Sequence, residues 1–208
     1  AQAYARLAPQ CRERGRTLLF RREGDGDVIF VLDSIVKPKP NNRWLPIVLA
    51  VLTVISTLFS YVIFWEATEL SLRSIVHNLP KGIPFTLSLL SILVAHELGH
   101  YFVARHFGVT VTLPHLIPFP LSPFGTMGAV IRMKSIPPNR RAMLLIGAAG
   151  PLAGLVLAIP ILILGLRLSE VAPLPVQGGY MVEGGSLLYM LIKRLVLGRW
   201  LPAHGIDV

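Results

Sequence analysis

His96, Glu97 and His100 are the residues of this chain whose types and spacing can do chemistry. Two histidines four apart lie about 400° apart around a helix, on one face and one turn apart, so both imidazoles reach a single ion. Zinc is the ion this spacing suits. Glu97 directly follows the first histidine and is rotated off the line of the two imidazoles. It is therefore free to act as a general base toward a water whose pKa the ion lowers. Gly99 adds no chemistry, but its missing side chain lets another backbone approach closely.

The bland alternative is an accidental H-E-x-x-H. Most accidents of that kind fall on solvated helices, whereas here Leu89, Leu90, Ile92, Leu93 and Val94 precede the motif and Tyr101, Phe102 and Val103 follow it. Ionisable groups inside such a run cost several kcal/mol unless they serve a purpose.

The whole composition agrees with a membrane setting. Of 208 residues 53% are apolar and only 15% charged, and the mean hydropathy is positive. The single cysteine, Cys11, excludes an intramolecular disulfide and a CxxC metal site. A net charge of +9 invites a nucleic-acid reading, yet the basic residues flank apolar runs and form no recognition motif, so no nucleic-acid partner is expected. The chain starts at Ala1 without a methionine or a signal peptide, from which missing N-terminal sequence is expected.

Three apolar runs must position the motif. Residues 45–65 contain no charge and are flanked by Trp44 and Trp65, which suit the two interfaces of a bilayer. Residues 82–106 form the second span and carry the motif, and residues 142–168 form the third. Gly147, Gly150 and Gly154 in the third span, with small-xxx-small spacing, read as a face packing against the motif helix, and Pro160 is expected to bend its outer half. The bland alternative is helix packing unrelated to the motif. Residues 1–44 hold nine Lys and Arg, and 105–141 holds Arg105, Arg132, Lys134, Arg140 and Arg141 with no acid. The positive-inside rule makes both cytoplasmic, so the N-terminus is expected in the cytoplasm and His100 about 9 Å from the inner end of its helix.

The remaining stretches read as follows. Residues 1–44 are a cytoplasmic segment in which 17–22 and 28–32 are strands around a turn at 23–27; Asp25 and Asp27 as calcium ligands are the weaker reading, because the rest of a calcium loop is absent. Lys37 to Pro40 is a stiff linker. Residues 66–81 form a neutral connection. In 105–141, strands are expected at 109–113 and 127–133, separated by Pro114, Pro118, Pro120 and Pro123, giving a hairpin or re-entrant loop beside the zinc whose free edge can hold an extended substrate. The alternative there is a cytoplasmic connector. His115 as a third ligand is the weaker reading, and an ordinary hydrogen-bonding histidine the better one. Residues 169–208 are expected outside, as a loop with an interfacial helix at 186–197, too short to span. The fold class is thus mainly α, with polytopic transmembrane helices and a small hairpin or re-entrant loop after the motif helix.

In this order, His96-Glu97-Leu98-Gly99-His100, Phe124-Gly125-Thr126-Met127-Gly128-Ala129 and Gly147-Ala148-Ala149-Gly150-Pro151-Leu152-Ala153-Gly154 resemble the site-2 protease family of intramembrane zinc metalloproteases, most of all its cyanobacterial and plastid branch, over residues 45–168. The resemblance implies that His96 and His100 are zinc ligands, that Glu97 is the catalytic base, and that the reaction is peptide-bond hydrolysis in or near the transmembrane helix of a membrane-protein substrate. It also implies a third ligand from an Asp-Gly on a later helix. The aspartates here are Asp25, Asp27, Asp33 and Asp207, none within an apolar span. A fragment lacking later spans is therefore expected, and Asp207 is a poor substitute ligand. Two rival readings remain: a non-catalytic membrane scaffold, and a metal transporter. The transporter is disfavoured because the first span offers only Thr53, Ser56, Thr57, Ser60 and Tyr61 as polar groups. Substrate identity and oligomeric state are not legible.

Overall fold

The computed structural model describes residues 2–23, 26–32, 44–66, 71–173, 185–198, 200 and 206–207. The chain divides into two compact units, Ala1–Asn41 and Asn42–Val208.

In the first unit a helix α1 (Gln2–Glu13) is followed by the antiparallel strands β1 (Thr17–Glu23) and β2 (Gly26–Leu32), in register from Thr17 opposite Leu32 to Glu23 opposite Gly26. The expected hairpin is present and one or two residues longer at its turn. The helix was not expected, since Pro9 interrupts a weakly apolar stretch. Its end is well specified: Gly15 takes φ +75° and the Arg16 N–H donates to the Cys11 carbonyl at 2.8 Å, the six-to-one bond of a Schellman motif. α1 packs on β1, and Leu18 is buried. Asp25, Asp33 and the 37–40 linker lie outside the described residues.

The second unit holds three helices long and apolar enough to cross a bilayer. α2 (Trp44–Tyr61) continues as one π turn through Glu66. Residues 66–81 are not a plain connection: α3 (Leu72–Asn78), capped by the Ser71 hydroxyl, and a 3-10 turn (Leu79–Lys81) lead straight into α4 (Gly82–His106). Lys81 pairs with Glu66 at 2.7 Å, tying the end of the π turn to the start of α4. α5 (Arg140–Leu168) begins two residues earlier than expected because the Asn139 side chain accepts the Ala142 N–H at 2.7 Å, and it runs through Pro151 and Pro160 without interruption.

α2 is polar toward the protein and apolar away from it. Thr53, Ser56, Thr57 and Ser60 recur at i, i+3, i+4 and i+7 and are buried, while Val51, Leu52 and Ile55 are exposed. That arrangement suits a helix whose outer face meets lipid.

The segment between α4 and α5 is a hairpin, β3 (His115–Pro118) and β4 (Thr126–Val130), antiparallel with Leu116 opposite Ala129 and a register shift before Pro118. The strand expected at 109–113 is not formed. Val111 makes an isolated bridge with Met133, Thr112 N–H donates to the Arg132 carbonyl and Lys134 N–H to that of Thr110. The reason is the end of α4. Gly108, at φ +71°, and Val109 close a second Schellman motif, with Val109 N–H donating to Ala104 at 2.9 Å, and this buries Val109 in a cluster with Ala104 and Ile146. The chain is committed to that cluster before pairing starts. Pro118 is accommodated beside the register shift, where a ladder donor is not needed.

The tip of the hairpin is fastened to α2. Ser56 Oγ donates to the Gly125 carbonyl at 2.6 Å, Ser60 Oγ to that of Pro120 at 3.1 Å and Trp65 Nε1 to that of Pro123 at 3.2 Å. These contacts spread over roughly 14 Å of helix rise, so the tip lies alongside α2, not beyond its end as a free connector would. Gly125 sits at φ +71° on the Ser56–Thr57 backbone, where an added Cβ would stand 2.6 Å from the Ser56 carbonyl oxygen.

Beyond α5, a short ladder pairs Ala172 with Asp207 and Pro173 with Ile206. α6 (Leu187–Leu197), capped by Ser186 and closed by Gly198 at φ +74°, packs on α5 with Ile192 and Lys193 buried and the Lys193 ammonium 5.2 Å from the Tyr189 ring centre.

Removing the Ser56 hydroxyl (Ser56→Ala) should lower stability by about 1–2 kcal/mol, the value of a buried hydrogen bond. Gly125→Val, which adds both a clash and backbone strain, should cost more. Thermal unfolding of the purified protein in detergent checks both, and equal melting of all three proteins would contradict the docking described.

Candidate active site

α4 brings the motif together as its spacing requires. His96 Nε2 and His100 Nε2 stand 3.1 Å apart with their rings edge to face. Two zinc ligands at 2.0–2.1 Å and a tetrahedral angle stand about 3.3 Å apart, so the two nitrogens are already near the separation zinc would impose. His100 Nδ1 lies 2.7 Å from the Ile146 carbonyl oxygen on α5. A carbonyl only accepts, so Nδ1 carries the proton and Nε2 presents its lone pair, the usual way an acceptor behind the ring fixes a ligating imidazole.

The glycine face of α5 makes that contact feasible. A Cβ on Gly150 would run into the His100 ring, and a Cβ on Gly154 would touch His96 at 3.5 Å. In return, a Cβ on Gly99 would strike the Ala149 carbonyl and stand 2.8 Å from the Ala153 methyl. Glycines of α5 thus make room for the imidazoles and Gly99 of α4 for the α5 backbone, and the packing of α5 on the motif helix is as its small-residue spacing predicts.

Glu97 is buried and, with His100, supplies the polar lining of a cavity of about 360 Å³. Ala129, Val130 and Ile131 from the end of the hairpin, Met133, and Met143 and Gly147 of α5 line the same cavity. Among the described residues β4 pairs with β3 alone, so its outer edge is unpaired beside this cavity.

The other sequence candidates are elsewhere. His115 belongs to β3, does not line the cavity, and its buried Nδ1 finds no hydrogen-bond partner among the described residues, so the ordinary hydrogen-bonding role expected for it is not what that nitrogen has. Asp207 pairs with Ala172, beyond a helix that rises roughly 27 Å from Gly150 to Leu168. Among the described residues no three His, Cys, Asp or Glu side chains form a metal-binding group. The spacing of the two imidazoles thus fits two positions of a zinc shell. The Ile146 carbonyl, the cavity glycine Gly147 and the docking serines Ser56 and Ser60 were not singled out from the sequence for these roles. Only the serines carried a signal, their one-face spacing in an uncharged span.

Residues 84–199 match Peptidase family M50. The chain belongs to this family. It is similar to a probable zinc metalloprotease, chloroplastic EGY1, of Arabidopsis thaliana, 38% identical over 120 residues, which is 56% of this chain and 22% of that protein. The EGY1 protein of Oryza sativa subsp. japonica is 30% identical over 193 residues, 79% of this chain and 32% of the relative. EGY2 of Arabidopsis thaliana, also named a probable zinc metalloprotease, is 34% identical over 120 residues, 58% of this chain and 21% of its own. The chain therefore spans about a fifth to a third of the length of these curated relatives. No solved structure matches it. Family and helices together make it an integral membrane protein.

Gly150→Ala should displace the His100 ring and weaken metal binding by about 10–100-fold, the range for disturbing a ligand's support. Zinc titration of the full-length protein checks this, with circular dichroism to confirm that helix content is retained.

Proposed function

We propose that this chain is the motif-bearing core of an intramembrane zinc metalloendopeptidase, which hydrolyses peptide bonds in or near transmembrane segments of membrane proteins and so serves regulated intramembrane proteolysis. One observation carries the reading: Glu97 and His100 line an otherwise apolar cavity bordered by an unpaired strand edge, within helices that suit a bilayer. His96 and His100 would hold the zinc, with a further ligand from outside the described residues. When bound, zinc supplies Lewis-acid polarisation of the scissile carbonyl and lowers the pKa of water.

The chain's own residues do the rest. The β4 edge accepts an extended segment by strand addition, so that its backbone groups keep hydrogen bonds away from water. The Glu97 carboxylate takes the proton of the attacking water and returns it to the leaving amide nitrogen. The Ile146 carbonyl keeps the His100 tautomer fixed.

The excess of Lys and Arg in residues 1–44 and 105–141 supports a cytoplasmic N-terminus, with 169–208 and α6 on the opposite side. The partners are then a membrane-protein substrate and the bilayer. The second reading, a scaffold of the protease fold without catalysis, is favoured by one observation, the missing third donor among the described residues.

Glu97→Gln in the full-length protein should reduce cleavage of a membrane substrate by about 10²–10⁴-fold, the contribution of a general base, while zinc content stays unchanged. Unaltered cleavage would favour the scaffold. For orientation, an epitope at Ala1 should be removed by external protease in sealed inside-out vesicles and protected in right-side-out ones. The reverse would refute the cytoplasmic assignment.

A further inference from the structure

Three glycines follow one another along the face of α5 that meets the motif, and only two are explained by packing. Gly150 and Gly154 leave room for His100 and His96, whereas a Cβ built on Gly147 meets nothing within 4 Å. Glycine in a helix interior is less stable than alanine, and at position 147 no neighbour among the described residues requires it. What Gly147 does border is the cavity over Glu97.

We infer that this cavity is a side-chain subsite for a large apolar substrate residue next to the scissile bond, and that Gly147 sets the size it accepts. The inference rests on the proteolytic reading and adds to it a substrate class. The walls fit the assignment. Met133 and Met143, both more than half exposed, line it, and unbranched thioethers adapt to large apolar shapes. Apart from Glu97 and His100, the side chains lining the cavity are all apolar, so a charged or amide side chain would enter without partners. Ala129 to Ile131, at the end of the unpaired β4 edge, line the same cavity as Gly147. A substrate strand lying on that edge points alternate side chains to one face, and one of them enters between β4 and α5.

The subsite is tested with full-length protein in zinc-containing nanodiscs and a library of single-span model peptides. These peptides are randomised at the positions around cleavage, and the cut sites are read by mass spectrometry. Wild-type protein should select Leu, Met or Phe at one fixed position relative to the cut. Gly147→Ala should melt at the same or a higher temperature and lower the preference for Phe over Ala at that position by about tenfold. Gly147→Leu should shift selection to Gly and Ala. An unchanged cut-site profile in Gly147→Leu overturns the subsite, as does a uniform loss of cleavage with a lowered melting temperature, which would make Gly147 a packing residue. The proteolytic reading is judged separately: absence of wild-type cleavage, or cleavage that survives Glu97→Gln, overturns that reading and the subsite with it.

Discussion

The backbone carbonyl of Ile146 reaches the His100 ring at 2.7 Å because α4 and α5 touch with almost nothing between them. Gly99 opposes Ala149 and Ala153, Gly150 opposes His100, and Gly154 opposes His96. In a bilayer, helices gain little from burying apolar surface against each other, since lipid is as apolar as leucine, and close backbone contact supplies the attraction in its place. The same contact sets the imidazole geometry. Ile146 acts at both levels: its side chain closes the cluster with Ala104 and Val109, and its carbonyl orients His100. Stability of the helix pair and preorganisation of the site are therefore one interaction, and neither can be altered alone.

From that cluster the chain turns back toward α2. The Schellman motif at Gly108 and Val109 ends α4 and sends the backbone into a stretch rich in proline, which cannot satisfy itself as a helix. Irregular backbone at membrane depth persists only where protein or water takes its hydrogen bonds. The tip answers part of this internally, through Gly125 N–H to Ser122 and Phe119 N–H to Gly125, and α2 supplies the rest from Ser56, Ser60 and Trp65. The hydroxyls of the polar stripe are thus accounted for without a permeating ion: Ser56 and Ser60 dock the hairpin, and Thr53 and Thr57 donate to carbonyls of their own helix.

What could be read from the sequence follows from the range of each interaction. The three apolar helices, the motif face and the glycine stripe are local patterns, and their periodicity is visible without a fold. The N-terminal hairpin was legible from its turn. The pairing of His115–Pro118 with Thr126–Val130 was not, because β-branched residues at 109–113 offered a better strand and only the tertiary cluster at Val109 disqualifies them. The partners of Ser56 and Ser60 lie 69 and 60 residues away, so their spacing announced an inward face without saying what it held. Likewise nothing local distinguishes Gly147 from Gly150. The difference is which neighbour each one meets.

The unpaired edge of β4 links these levels to the proposed chemistry. An exposed edge is an aggregation hazard in water, and proteins usually cover or charge it. Here the cavity beside it is lined mainly by apolar side chains, Met133 and Met143 among them, so on the proposed reading an approaching chain meets apolar surroundings. There a peptide freed from its own helix loses intrahelical hydrogen bonds that water cannot replace, and a strand edge is the cheapest substitute. The condition that forces α2 to donate to the hairpin's carbonyls is then the condition that makes the hairpin attractive to a substrate backbone. On the proposed reading, an enzyme working at this depth binds extended segments because unsatisfied backbone is intolerable to both partners, and it reads sequence only through the side chain that enters the cavity.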